Sequence, residues 1–146
     1  RNLQEIWSLN FGRAMMWLSE KVKLWASLPL SLTGRIALTK MIVLPKFLYL
    51  FVNIPIPLTS HFFATLRSCL VALVWAGGQA RVAWDTLALP LRQGGLGAPD
   101  MKLYTLCAQA QFLHFWTHPV PFQPHVAVER DVVAPLPLGV AICAKA

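Results

Sequence analysis

Thr33-Gly34-Arg35-Ile36-Ala37-Leu38-Thr39-Lys40-Met41-Ile42-Val43-Leu44-Pro45-Lys46 is the stretch on which the fold turns. Ser31 or Thr33 can cap the free N–H groups of a helix over residues 34–44, and Pro45 is expected to close or kink it. Ile36, Leu38, Met41, Ile42 and Val43 spread around most of the helix, so it should be largely buried. Yet it carries Arg35 and Lys40 and is followed by Lys46. Two readings of these cations stand side by side. Their aliphatic stems can carry the charged heads out to water, or the heads can border a groove that receives phosphates.

On the N-terminal side, Trp7, Phe11, Ala14, Leu18, Val22 and Trp25 recur at helical spacing over residues 6–25, with Arg13, Glu20 and Lys23 on the opposite face. Pro29 and Ser31 end that element. On the C-terminal side, residues 47–52 form a short apolar run. Ile54-Pro55-Ile56-Pro57 must be extended, because a residue before proline is pushed out of the helical region. Thr59 or Ser60 caps a third helix, with Phe62, Phe63, Leu66, Leu70 and Leu73 inward and Arg67 as its charge. Gly77-Gly78 after Trp75 ends it. Residues 81–84 and 86–89 suggest a short β-hairpin, and Gly94-Gly95-Leu96-Gly97 a turn. Pro99-Asp100 opens a fourth helix with Asp100 as cap and Leu103, Leu106, Ala110, Phe112 and Leu113 inside, ending near His118-Pro119. The expected fold is mainly α: a small helical bundle of about four helices with a short β-hairpin and an irregular C-terminal tail. The helical region is expected over residues 1–118 and the tail over 119–146.

With 146 residues, 56% hydrophobic and 13% charged, the chain can bury one core. Thirteen Lys and Arg stand against six Asp and Glu, a net charge of +7, so most cations require solvent or an external anion. Residue 1 is Arg, and no charged segment leads into an apolar run with a cleavage site. The expectation is a piece of a longer protein without a secretory signal. Cys69, Cys107 and Cys143 are widely spaced and never in a C-x-x-C pair, which points to a reducing, intracellular setting, cytoplasm or nucleus. Mean hydropathy is +0.53, and no charge falls between Lys46 and Arg67. Asn53, Pro55 and Pro57 would break a spanning helix there, so a membrane is not the expected partner.

Signals for chemistry are sparse. Polymerase and nuclease sites gather carboxylates around divalent metals, whereas Glu5, Glu20, Asp85 and Asp100 are scattered singly and Glu129 and Asp131 lie in the tail. The glycine cluster runs on into Ala98-Pro99 instead of the Gly-Lys-Ser or Thr of a phosphate loop. His114 and His118 have the spacing of paired metal ligands. Phe115 replaces the general-base Glu, however, and no third ligand is near. No catalytic residue, metal, cofactor or small-molecule substrate is expected.

One resemblance is specific. Leu28-Pro29-Leu30-Ser31-Leu32-Thr33-Gly34-Arg35-Ile36-Ala37-Leu38-Thr39-Lys40-Met41, followed by Leu44-Pro45-Lys46-Phe47-Leu48-Tyr49, resembles the segment after the polymerase palm in LINE-type (non-long-terminal-repeat) retrotransposon reverse transcriptases. Later signals follow in the same order: Ile54-Pro55-Ile56-Pro57-Leu58, Phe62-Phe63, Trp75, Arg81, Gly94-Gly95-Leu96, Pro99-Asp100 and Leu103-Tyr104. Together they cover residues 17–116. The resemblance implies a thumb and the region just beyond it, helical, packing along the template–primer hybrid while the palm, which holds the catalytic aspartates, lies elsewhere. Arg35, Lys40, Lys46 and Arg81 match basic positions of that pattern and are expected on the nucleic-acid backbone, which positions without reading sequence. Lys21, Lys23 and Lys102 are added from charge alone. The strip after Trp75 departs from the family in offering only Arg81 and inserting Asp85, and the tail matches nothing familiar. The functional expectation is a non-catalytic fragment that grips an RNA–DNA hybrid and has the missing palm as its partner. The alternatives are a nonfunctional helical fragment of a decayed element and a membrane-associated hairpin.

Overall fold

The computed structural model describes residues 3–54 and 56–117, together with Val128, Asp131 and Val132. The expected tail, His118 and Cys143 therefore lie outside the described residues, those three positions aside. The chain divides into two compact units, Arg1–Thr105 and Leu106–Ala146. The fold is mainly helical, and no strand occurs among the described residues.

Helix α1 covers residues 3–26 as Leu3–Trp7, a π-turn at Ser8–Gly12, and Arg13–Ala26. Of the expected stripe, Phe11, Ala14 and Leu18 are buried, Val22 and Trp25 are half-buried and Trp7 is exposed. The Asn10 amide donates to the Ile6 carbonyl at 2.9 Å beside the π-turn. Helix α2, Leu32–Asn53, also carries a π-turn, at Thr39–Val43. Ser31 is its cap, its hydroxyl accepting from the Gly34 N–H at 3.2 Å.

Pro45 does not end α2. A proline inside a helix removes one N–H and crowds the preceding turn. Here the turn just upstream is widened, with the Leu44 N–H reaching back to the Thr39 carbonyl. The helix runs on to Asn53, and residues 47–52, expected as a separate run, are its last turns. The buried Thr39 hydroxyl donates to the Arg35 carbonyl at 2.9 Å.

Helix α3, Ser60–Val74, is capped by Thr59, whose hydroxyl accepts from the Phe62 N–H at 3.2 Å. Phe62, Leu66, Leu70, Leu73 and Val74 are buried, while Phe63 is half-buried. The helix ends one residue earlier than the glycine pair suggests. Ala76 takes the left-handed conformation at φ 54°. Its N–H points to the Leu73 carbonyl, and the Gly77 N–H bonds the Ala72 carbonyl at 2.8 Å. These two bonds close a Schellman turn.

The expected hairpin is replaced by a one-turn helix, α4, Trp84–Ala88, followed by a 3-10 turn at Leu91–Gln93. Trp84 and Leu87 are both buried, three residues apart, which is helical spacing; two buried positions in a five-residue run satisfy a strand pattern almost as well. The glycine loop then folds back on α4, with the Leu96 and Ala98 N–H groups donating to the Leu87 carbonyl and the Gly97 N–H to Leu89.

Helix α5, Met101–Thr117, begins at the Asp100 cap, whose Oδ1 accepts from the Lys102 and Leu103 N–H groups at 3.0 and 3.2 Å. Its inner phase differs from expectation. Met101, Thr105 and Ala108 are buried, whereas Leu103 and Leu106 are exposed. The side chains of Phe112 and Leu113 lie outside the described residues.

Aromatic side chains join α1, α2 and α3 in the first unit. Phe11 stacks near Phe51 with centroids 6.2 Å apart and meets Phe62 edge-on at 5.7 Å. Phe47 adds to the cluster at 6.2 Å from Phe51. Each fully buried ring or leucine here contributes about 1.5–3 kcal/mol relative to exposure, so this cluster fixes how the three helices lie.

Candidate nucleic-acid interface

Arg35, expected on a phosphate, is instead inside the fold at 6% exposure. Its Nη1 donates to the carbonyls of Trp25 at 3.0 Å and Leu73 at 3.3 Å. Its Nη2 donates to Ala26 at 3.3 Å and Leu28 at 2.7 Å. A helix leaves its last carbonyls without internal partners. One planar guanidinium at the ends of α1 and α3 satisfies several of them and places positive charge where both helix dipoles are negative. This side chain is committed to the protein's own backbone carbonyls and is not presented on the surface with the other cations expected at the interface.

Lys46 is exposed, and its Nζ sits 3.9 Å from the centroid of the Trp17 ring. Trp17 is held in turn by an edge-on contact with Trp25, centroids 6.0 Å apart. An attraction of this kind is worth about 0.5–1 kcal/mol at an exposed site, enough to restrict a flexible lysine. Lys46 also lines a groove of about 420 Å³ between α1 and α2 with Leu9, Asn10, Arg13, Ala14, Tyr49 and Leu50. Asn10 and Arg13 are three apart on one helix, Lys46 and Tyr49 three apart on the other, so each pair lies on one helix face. No carboxylate lines the groove, and α2 contains none.

Lys21, Lys23, Lys40, Arg81 and Lys102 do not line this groove. Lys21 is half-buried and Lys23 exposed on α1. Lys40 is exposed in the π-turn of α2 with its Nζ beside Gly97, where an added Cβ would stand 3.1 Å from it. Arg81 is exposed in the loop before α4. Lys102 borders a separate cavity of about 320 Å³ together with Arg67, Asp85 and Asp100, where Arg67 pairs with Asp85 across α3 and α4. The sequence assignments thus bring only Lys46 to the groove. Arg13 was missed; the available signal was its place four residues before Trp17 in a chain with a large excess of cations.

Helix α2, 22 residues long with an 18-residue stretch of mean hydropathy 1.5, is by length and composition long and apolar enough to cross a bilayer. Among the described residues no group of His, Cys, Asp and Glu is placed to hold a metal ion. No known protein-family model matches the chain.

Proposed function

We propose that the chain is a nucleic-acid-binding helical module that grips a phosphate backbone without reading its bases. More narrowly, we propose the thumb-side region of a LINE-type reverse transcriptase, holding the template–primer hybrid for a palm that carries the chemistry. The observation that supports this reading is the groove of α1 and α2, lined by Arg13 from one helix and Lys46 from the other with no acid in the lining. A cationic surface of this kind attracts a phosphate backbone through release of the counterions condensed on it. Met16, Met41 and Leu103, at 68%, 77% and 56% exposure, supply apolar surface of the kind a palm would cover. Burial of Arg35 against the ends of α1 and α3 speaks against a membrane span, because it ties α2 sideways into a packed core. Lys40 and Lys46 within α2 would also be costly in lipid.

The test is binding to a labelled RNA–DNA hybrid over a salt series. Each phosphate contact adds about 0.9 to the slope of log affinity against log salt. Arg13→Ala and Lys46→Ala should each weaken binding and flatten the slope by about 1. A folded chain that shows no affinity at low salt returns the protein to the reading of a helical fragment without activity.

A further inference from the structure

We infer that the groove between α1 and α2 takes an unpaired nucleotide, its base against the Tyr49 ring and its phosphate between Arg13 and Lys46. This rests on the nucleic-acid reading above and adds the kind of strand that the groove selects. A duplex backbone asks only for cations on an accessible surface, because its bases are stacked inside and offer no face to a protein aromatic. This groove holds more than that. Tyr49 lines it at 67% exposure, leaving its ring free to stack, and Ala14 and Leu50 give it an apolar floor. Its volume of about 420 Å³ falls in the range of about 300–1,000 Å³ that suits small organic groups.

The polar groups fit the same occupant. Lys46 is steadied by the Trp17 ring at 3.9 Å, so less side-chain freedom is lost when an anion arrives. Asn10 spends its amide N–H on the Ile6 carbonyl, which fixes the side chain and leaves Oδ1 to accept from an amino or imino group of a base. Aromatic stacking beside cations is the usual way in which proteins hold single strands, and it tolerates any base because every base has a flat face.

Fluorescence anisotropy at low salt tests this with an oligo-dT strand, the same strand bearing abasic sites, and a blunt RNA–DNA hybrid of equal length, helical content being checked by circular dichroism. The single strand should bind several-fold tighter than the blunt hybrid. Tyr49→Ala should weaken single-strand binding by about five- to a hundredfold and hybrid binding far less, while Tyr49→Phe retains both. The abasic strand should bind the unaltered protein as the intact strand binds Tyr49→Ala. Equal binding of strand and hybrid, or indifference to Tyr49→Ala, overturns the inference and leaves the backbone-gripping reading standing. Absence of binding to every nucleic acid by a folded chain overturns both. Binding to phosphatidylserine vesicles in place of any nucleic acid also overturns it, in favour of an anionic lipid surface.

Discussion

Arg35 Nη1 donates to the Leu73 carbonyl at 3.3 Å, a buried bond that ties the start of α2 to the end of α3 across 38 residues of sequence. With the bonds from the same guanidinium to Trp25 and Ala26 at the end of α1 and to Leu28 just beyond it, it makes one side chain the meeting point of three helices.

Arg35→Ala should therefore act on stability first. Orphaning even one buried acceptor costs about 1–3 kcal/mol, so a loss of about 2–4 kcal/mol is expected in urea denaturation. Arg35→Lys should recover less than half, because an ammonium cannot reach carbonyls in a planar fork. Unchanged stability together with weakened hybrid binding would return Arg35 to the interface.

Gly95 is a second point of intolerance. A Cβ there would collide with the Leu89 carbonyl, a clash with backbone that no rotamer relieves. Gly95→Ala should cost about 1–3 kcal/mol, in the range of over-packing. Gly94→Ala, at φ 81° in open space, should cost only the left-handed backbone penalty of about 1–2 kcal/mol. Melting temperatures that fall equally for both would show that the loop can move away from α4.

The thiols should differ in reactivity. Burial pushes the Cys69 thiol pKa up, while Cys107 is exposed. Iodoacetamide at pH 8, followed by peptide mass mapping, should label Cys107 well before Cys69, and Cys69 should gain rate only at higher pH. Because its folded pKa lies above its unfolded one, Cys69 should lower folding stability as the pH climbs past the ordinary thiol value of 9.0. Faster labelling of Cys69 would mean that α3 opens readily.

Much of the helical frame was legible because its signals are local. Ser31, Thr59 and Asp100 cap where their chemistry says they should, and the stripes through Phe11–Leu18 and Phe62–Leu73 follow the helical period. The misses arise from contacts distant in sequence. Nothing near Arg35 announces that its partners will be Trp25, Ala26, Leu28 and Leu73, so its charge looked available. Nothing in residues 84–88 separates one helical turn from a strand until Trp84 and Leu87 share a core. The inner face of α5 was placed on its leucines, yet the buried positions are Met101, Thr105 and Ala108, where a threonine hides by donating to the Met101 carbonyl at 2.8 Å. Of the groove, Lys46 was legible and its opposing Arg13 was not, since their meeting depends on how two helices cross.

The π-turn at Thr39–Val43 gives α2 a residue to spare. Its bond spans five residues instead of four, so losing one residue there lets an ordinary turn close while the flanking segments keep their facing. Anywhere else in α2 a lost residue swings everything downstream by about 100° around the axis, and Phe47 and Phe51 leave the core. Loss of the Met41 codon, a position 77% exposed, should therefore leave a chain that folds with its helix faces in register but less stable by about 3 kcal/mol, because the closed turn crowds the Pro45 ring, whereas loss of the Leu48 codon should abolish cooperative unfolding. Insertions and deletions in α2 would accordingly be confined to that wide turn.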